Sequence, residues 1–129
     1  MKAISCFAVA CLLLAVGCQR PLPSPTDNPY LHKLLDTDQP VLLDCWAEWC
    51  GPCRQLAPVI EQLAGEYRGR AVVAKLDVDE EPEVARQLDI SAIPALLLFK
   101  DGKLVRRMIG VQPKSTIAAA LDELLTEKS

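Results

Sequence analysis

Histidine is almost missing from this 129-residue chain, which has one, His32. Aromatic residues are scarce at 5%, and lysine and arginine nowhere gather into a basic stripe. Nucleic-acid binding needs base-stacking platforms and phosphate neutralisation, so this composition argues against it. The one long apolar run, Ala3 to Gly17, falls short of the roughly 20 residues that a membrane-crossing helix requires. The acidic stretch Asp79, Glu80, Glu81 and Glu83 lacks the glycine and the spaced ligands of a calcium loop. It reads as a solvated helix start. No internal repeat is visible. The net charge of −3 describes a solvated surface and selects no partner. With 50% hydrophobic and 24% charged residues the chain has the balance of one ordinary globular domain, expected as a monomer.

Cysteine is the residue present in excess, with six. Cys6 and Cys11 fall in the apolar run after Met1-Lys2, which reads as a secretory signal over residues 1–17. Leu14-Ala15-Val16-Gly17-Cys18 resembles a bacterial lipobox, in which the cysteine is lipidated and becomes the new N-terminus. Ala15-x-Gly17 also suits ordinary signal peptidase, and both routes cut before Cys18. Residues 18–29 form a linker with Pro21, Pro23, Pro25 and Pro29. Ten residues of such stiff chain reach about 30 Å. The expectation is a lipid-anchored protein on the periplasmic side of a cell envelope, or a secreted soluble one.

Residues 30–129 carry the folded domain. Tyr30, Leu31, Leu34 and Leu35 fit a short helix opened near Asp27 or Asn28, with His32 an exposed bystander off its apolar face. Val41 to Trp46 reads as a buried strand carrying one acid, Asp44. Leu56, Val59, Ile60, Leu63, Ala64 and Tyr67 recur at helical spacing, with Pro58 inside. Ala71 to Val78 reads as a second buried strand, interrupted by Lys75. A helix from Pro82 through Leu88 follows. Ala95 to Lys100 is a third strand, Asp101-Gly102 a hairpin turn, and Lys103 to Ile109 a charged edge strand ended by Gly110. Pro113 opens a last helix with Ile117, Leu121, Leu124 and Leu125 inward.

Cys50 and Cys53 stand where the first strand hands over to the long helix. A helix N-terminus has unpaired N–H groups and partial positive charge, so a thiolate there is stabilised. The i, i+3 spacing puts the second sulfur on the same face. Cys50 is the natural attacker and Cys53 the resolver. Zinc, the competing reading, wants four ligands. Cys18, Cys45 and His32 are not spaced to complete a set, so no metal is expected.

Trp49-Cys50-Gly51-Pro52-Cys53, preceded by Asp44-x-Trp46-Ala47-Glu48, resembles the active site of the thioredoxin family. The resemblance covers roughly Tyr30 to Leu125. It implies an α/β fold, a central mixed sheet flanked by helices. The family's first strand would fall on Pro21 to Thr26, where proline is dense, so it is expected to be missing or reduced to a fragment. It implies a thiol-disulfide oxidoreductase that reduces protein disulfides through Cys50 and Cys53, with no other cofactor. Asp44 would serve Cys53 as general base through water and could at the same time be a buried acid paired with Lys75, which also matches the family and is counted with Cys50, Cys53 and Asp44 among the catalytic residues. Pro94 would be cis, leaving the backbone of Ile93 free for an extended substrate. Trp49, Gly51, Pro52, Ile93, Pro94 and Gly110 would form an apolar docking surface around Cys50, with Trp46 packed beneath. Cys45 departs from the family's aromatic; it reads as an inert buried thiol, or less simply as a third redox thiol. An oxidising envelope would require a membrane electron donor. An oxidase or isomerase, and a non-enzymatic docking module using the same apolar face, are the rival readings.

Overall fold

Residues 28–127 are described by the computed structural model. The expected signal segment, the lipidation of Cys18 and the linker up to Asp27 lie outside the described residues.

The run Val41–Trp46 forms β1, the central strand, and five of its six residues are buried. Its branched apolar side chains suit a strand covered on both faces. On one side β1 pairs in parallel with β2 (Val72–Asp77), on the other antiparallel with β3 (Ala95–Lys100). The hairpin partner β4 (Lys103–Ile109) completes the order β2-β1-β3-β4. Asp101 and Gly102 both have positive φ, 51° and 76°. A two-residue hairpin of this hand needs that conformation.

Alternation along β1 sorts its side chains onto two faces. Leu42 packs with Leu56, Ile60 and Leu63 of α2 (Gly51–Glu66) and with Ile117, Leu121 and Leu124 of α4 (Lys114–Thr126). Leu43 and Cys45 pack on the other face, with Leu31 and Leu35 of α1 (Pro29–Leu35) and Val84 of α3 (Pro82–Gln87). Each fully buried leucine or isoleucine contributes roughly 2 kcal/mol of transfer free energy. Asn28 opens α1: its side-chain oxygen accepts the Tyr30 N–H at 2.8 Å, and Pro29 fills the first turn. The helix α2 runs on through Pro58, whose side chain is exposed.

This is the mixed, helix-flanked sheet that the resemblance implies. One expectation fails. The second strand is not a buried one: among the described residues β2 is an edge, and only Leu76 in it is fully buried. A strand flanked on one side only leaves half its surface wet, and an apolar run cannot show which strand ends a sheet.

Candidate redox site

The C-terminal end of β1 delivers Trp46 and Ala47 beneath the start of α2, and Cys50 occupies the N-cap of that helix. Its sulfur accepts the Cys53 N–H at 3.2 Å. One of the orphan donors of the first helical turn therefore points at Cys50 Sγ, where negative charge develops when the thiol ionises. Gly51 and Pro52 take the first two helical positions. Pro52 has no N–H to leave unpaired there. Cys50 and Cys53 are joined as a disulfide with Cα atoms 5.3 Å apart. Both are buried and pack with Ala47, against which Trp46, Val78 and Ile93 also lie.

Ile93-Pro94 is a cis peptide. The Pro94 carbonyl accepts the Gly110 N–H at 2.8 Å, which ties the end of β4 to the site. Among the described residues the backbone of Ile93 forms no hydrogen bond. Among the described residues Trp49 is the most exposed large apolar side chain, at 67%. Together with Ile93, Val78, Ile90, Ser91 and Ala92 it lines a cleft of about 170 Å³. Thus Trp49, Ile93, Pro94 and Gly110 come together beside the dithiol, with Gly51 and Pro52 exposed at its rim.

Asp44 is 1% exposed, and its Oδ1 has no hydrogen-bond partner. It shares with Leu42 the β1 face on which α2 lies. Burial raises its pKa to about 6, against a smaller opposite pull from Lys75. Lys75 stands directly across from Asp44 in the ladder, yet the pair does not form an ion pair. The reading of Asp44 as a buried acid paired with Lys75 thus fails for a direct ion pair. The Lys75 side chain is exposed, and its Nζ lies 4.5 Å from the centre of the Trp46 ring. A long aliphatic stem at a sheet edge keeps its charge in water, over an aromatic face, at less cost than burying it.

Cys45, on the opposite face from Asp44, is fully buried among apolar side chains. Burial, with a contribution from Asp44, pushes its thiol up to about 12.

One contact was not anticipated. Asp79 is not merely solvated: its Oδ2 accepts the Trp49 indole N–H at 2.7 Å and fixes the ring beside the cleft. The two residues are 30 positions apart. The only signal for it was an exposed indole N–H in need of an acceptor. Among the described residues no three potential metal ligands gather.

A sequence model of the thioredoxin family matches residues 23–123. The chain is similar to a thioredoxin of Chlorobaculum thiosulfatiphilum, 52% identical over 98 residues, 76% of this chain and 91% of that protein. It is similar to thioredoxin 1 of a Nostoc species, 45% identical over 100 residues, covering 78% and 94% of the two. A thioredoxin of Staphylococcus haemolyticus is 51% identical over 84 residues, or 65% and 81%.

Proposed function

Because this chain belongs to the thioredoxin family and is a protein-disulfide reductase, we propose that it serves the bacterial cell envelope, acting as a monomer on the periplasmic side. The observation that carries the chemistry is Cys50 Sγ at the N-cap of α2, receiving the Cys53 N–H. The Cys50 thiolate attacks one sulfur of a substrate disulfide. A mixed disulfide forms, and the other substrate sulfur leaves and takes up a proton. The Cys53 thiolate then attacks Cys50 Sγ, releasing the second substrate thiol. Two electrons pass to the substrate, and the Cys50–Cys53 disulfide is the product state. Asp44, buried and titrating near 6, takes the Cys53 proton in this scheme and returns it on re-reduction. Trp49, Gly51, Pro52, Ile93, Pro94 and Gly110 are the docking surface, with the unpaired backbone of Ile93 offered to an extended substrate.

The envelope reading rests on residues 1–18: one lysine, an apolar run and Cys18 after small residues. It places a lipid on Cys18 and requires a dithiol donor in the membrane, since the compartment is oxidising. The deciding measurement is the reduction potential of Cys50–Cys53, equilibrated against glutathione. A value at the reducing end of the family's range supports the reductase. A shift of some 30 mV or more towards oxidising values is a tenfold change in equilibrium and turns the protein into a disulfide donor or isomerase. Location is read separately: Cys18→Ser should move the protein from the membrane to the soluble fraction.

A further inference from the structure

We propose that Arg107 is a positioning residue for substrate docking: from β4 it holds the loop that forms one wall of the cleft beside the dithiol. This role rests on the reading of Trp49 and Ile93 as docking residues, and it says what sets the width of their cleft.

The register of the sheet sends two neighbouring arginines to opposite faces. Arg106 stands across from Leu98 and Arg107 across from Leu97. Leu98 packs in the layer of α2 and α4, Leu97 in that of α1 and α3. Arg106 accordingly reaches α4, where its Nη2 donates to Glu123 Oε2 at 2.7 Å. Arg107 reaches the end of α3. Its Nη2 donates to the Leu88 carbonyl at 2.7 Å and its Nη1 to the Asp89 carbonyl at 3.1 Å.

Those two carbonyls are the ones that the helix ending leaves over. Asp89, with φ 55°, ends α3 in the left-handed conformation. The Asp89 N–H donates to the Arg86 carbonyl at 3.0 Å, and the Ile90 N–H to the Ala85 carbonyl at 2.9 Å. Both bonds satisfy carbonyls inside the last turn. Among the described residues the Leu88 and Asp89 carbonyls receive no backbone donor. A guanidinium is a planar fork of donors, so one side chain takes both at once.

What Arg107 holds is the start of the docking loop. Ile90, Ser91, Ala92 and Ile93 lie with Trp49 around the cleft of about 170 Å³. Among the described residues Ser91, Ala92 and Ile93 make no backbone–backbone hydrogen bond. The span is therefore fixed at its ends. At the far end the Pro94 carbonyl accepts the Gly110 N–H. At the near end stands Arg107, so β4 and the residue after it grip the loop on both sides. The opposite wall has its own anchor, the Asp79 carboxylate on the Trp49 indole. Releasing Arg107 frees one wall only. The sulfurs, packed with Ala47 at the start of α2, stay in place. Arg107 is exposed, so its bonds compete with water and the expected effect is modest.

The test is the second-order rate at which the reduced protein attacks insulin, set against its rate on dithionitrobenzoate, a small aromatic disulfide with no chain to lay in the cleft. Arg107→Ala should slow insulin reduction about fivefold and leave the small disulfide and the Cys50–Cys53 potential unchanged. Arg107→Lys keeps the charge but not the fork, and should slow insulin reduction about threefold. Arg106→Ala removes the same charge from the other face and should change none of the three readings. Equal slowing by Arg106→Ala and Arg107→Ala makes the effect one of charge and overturns the proposal. Slowing of both substrates alike overturns it too, and so does an Arg107→Ala protein that attacks insulin at the original rate while Trp49→Ala is slowed. Trp49→Ala at the original rate removes the docking reading, and the role of Arg107 falls with it. If Arg107→Ala fails to fold, Arg107→Lys decides alone, and an unchanged insulin rate there overturns the proposal.

Discussion

Cys45 and Cys50 sit five positions apart and are almost equally buried, at 0% and 4% exposure. Their chemistry nonetheless diverges. Cys45 hangs from the middle of a strand into an apolar layer, where no donor reaches its sulfur and the charge of Asp44 repels a thiolate. Cys50 caps a helix and receives an N–H. What separates a reactive thiol from an inert one here is the direction of the neighbouring dipoles, not access to water.

The comparison breaks most visibly under cysteine replacement. Cys50→Ser should abolish disulfide reduction, and Cys53→Ser should leave substrate trapped as a mixed disulfide on Cys50. Cys45→Ser should retain turnover. In the reduced, folded protein an alkylating reagent should modify Cys50 at least about 1,000-fold faster than Cys45, because a thiol titrating near 12 is almost never ionised at neutral pH. Mass spectrometry of the labelled peptides reads both rates. Comparable labelling of Cys45 in the folded state would remove the distinction and restore a third redox thiol.

Asp44 lies on the opposite face of β1 from Cys45, and its titration sharpens the contrast. Its pKa is raised by burial from 3.8 to about 6. The folded state thus binds its proton more tightly than the unfolded chain does. The stability from this group is fully present below about pH 4 and is lost as pH rises through 6. A gap of about two pKa units corresponds to at most about 3 kcal/mol. Asp44→Asn should therefore stabilise the protein at pH 7 by up to that amount, with the gain vanishing near pH 4. Denaturant unfolding at the two pH values measures it. The same variant should slow reduction and flatten its pH profile around 6. A stabilised variant with an unaltered profile would leave Asp44 a passive buried acid.

Trp49 and Asp79 test the outer side of the same site. Asp79→Ala removes the acceptor that fixes the indole. A surface hydrogen bond of this kind is worth about 1 kcal/mol, so KM for a protein substrate should rise about fivefold. The potential of the dithiol should not move, because the ring touches the docking cleft and the sulfurs stay as they were.

How far these features could be read without coordinates depends on their range along the chain. All eight elements of the described residues follow from local periodicity, from caps such as Asn28 and from the Asp101-Gly102 turn, each a matter of neighbouring residues. The Cys50 cap was legible for the same reason: strand end, two cysteines and helix start are contiguous. Lys75 and Asp79 were not. Whether Lys75 turns inward depends on β2 being an edge, and that is a property of the assembled sheet. The Trp49–Asp79 bond joins two loops that only folding brings together. The acids around Asp79 carry a pattern that solvated helix starts share. Asp44 was legible as buried, but not as lacking a partner for Oδ1.

The smallest expected effect lies at Cys45 itself. Valine has nearly the same volume and no titratable group, and volume-conserving swaps in a core change stability by less than about 1.5 kcal/mol. Cys45→Val should stay within that limit, because Cys45 is fully buried in a cluster of apolar side chains. It should also leave the potential of Cys50–Cys53 unshifted, since Cys45 packs in a different cluster from the dithiol. A potential that moved by some 30 mV would mean a tenfold change in the dithiol equilibrium. That would couple the two faces of β1 despite their separate packing, and the inert thiol would then be a tuning group for the reactive one.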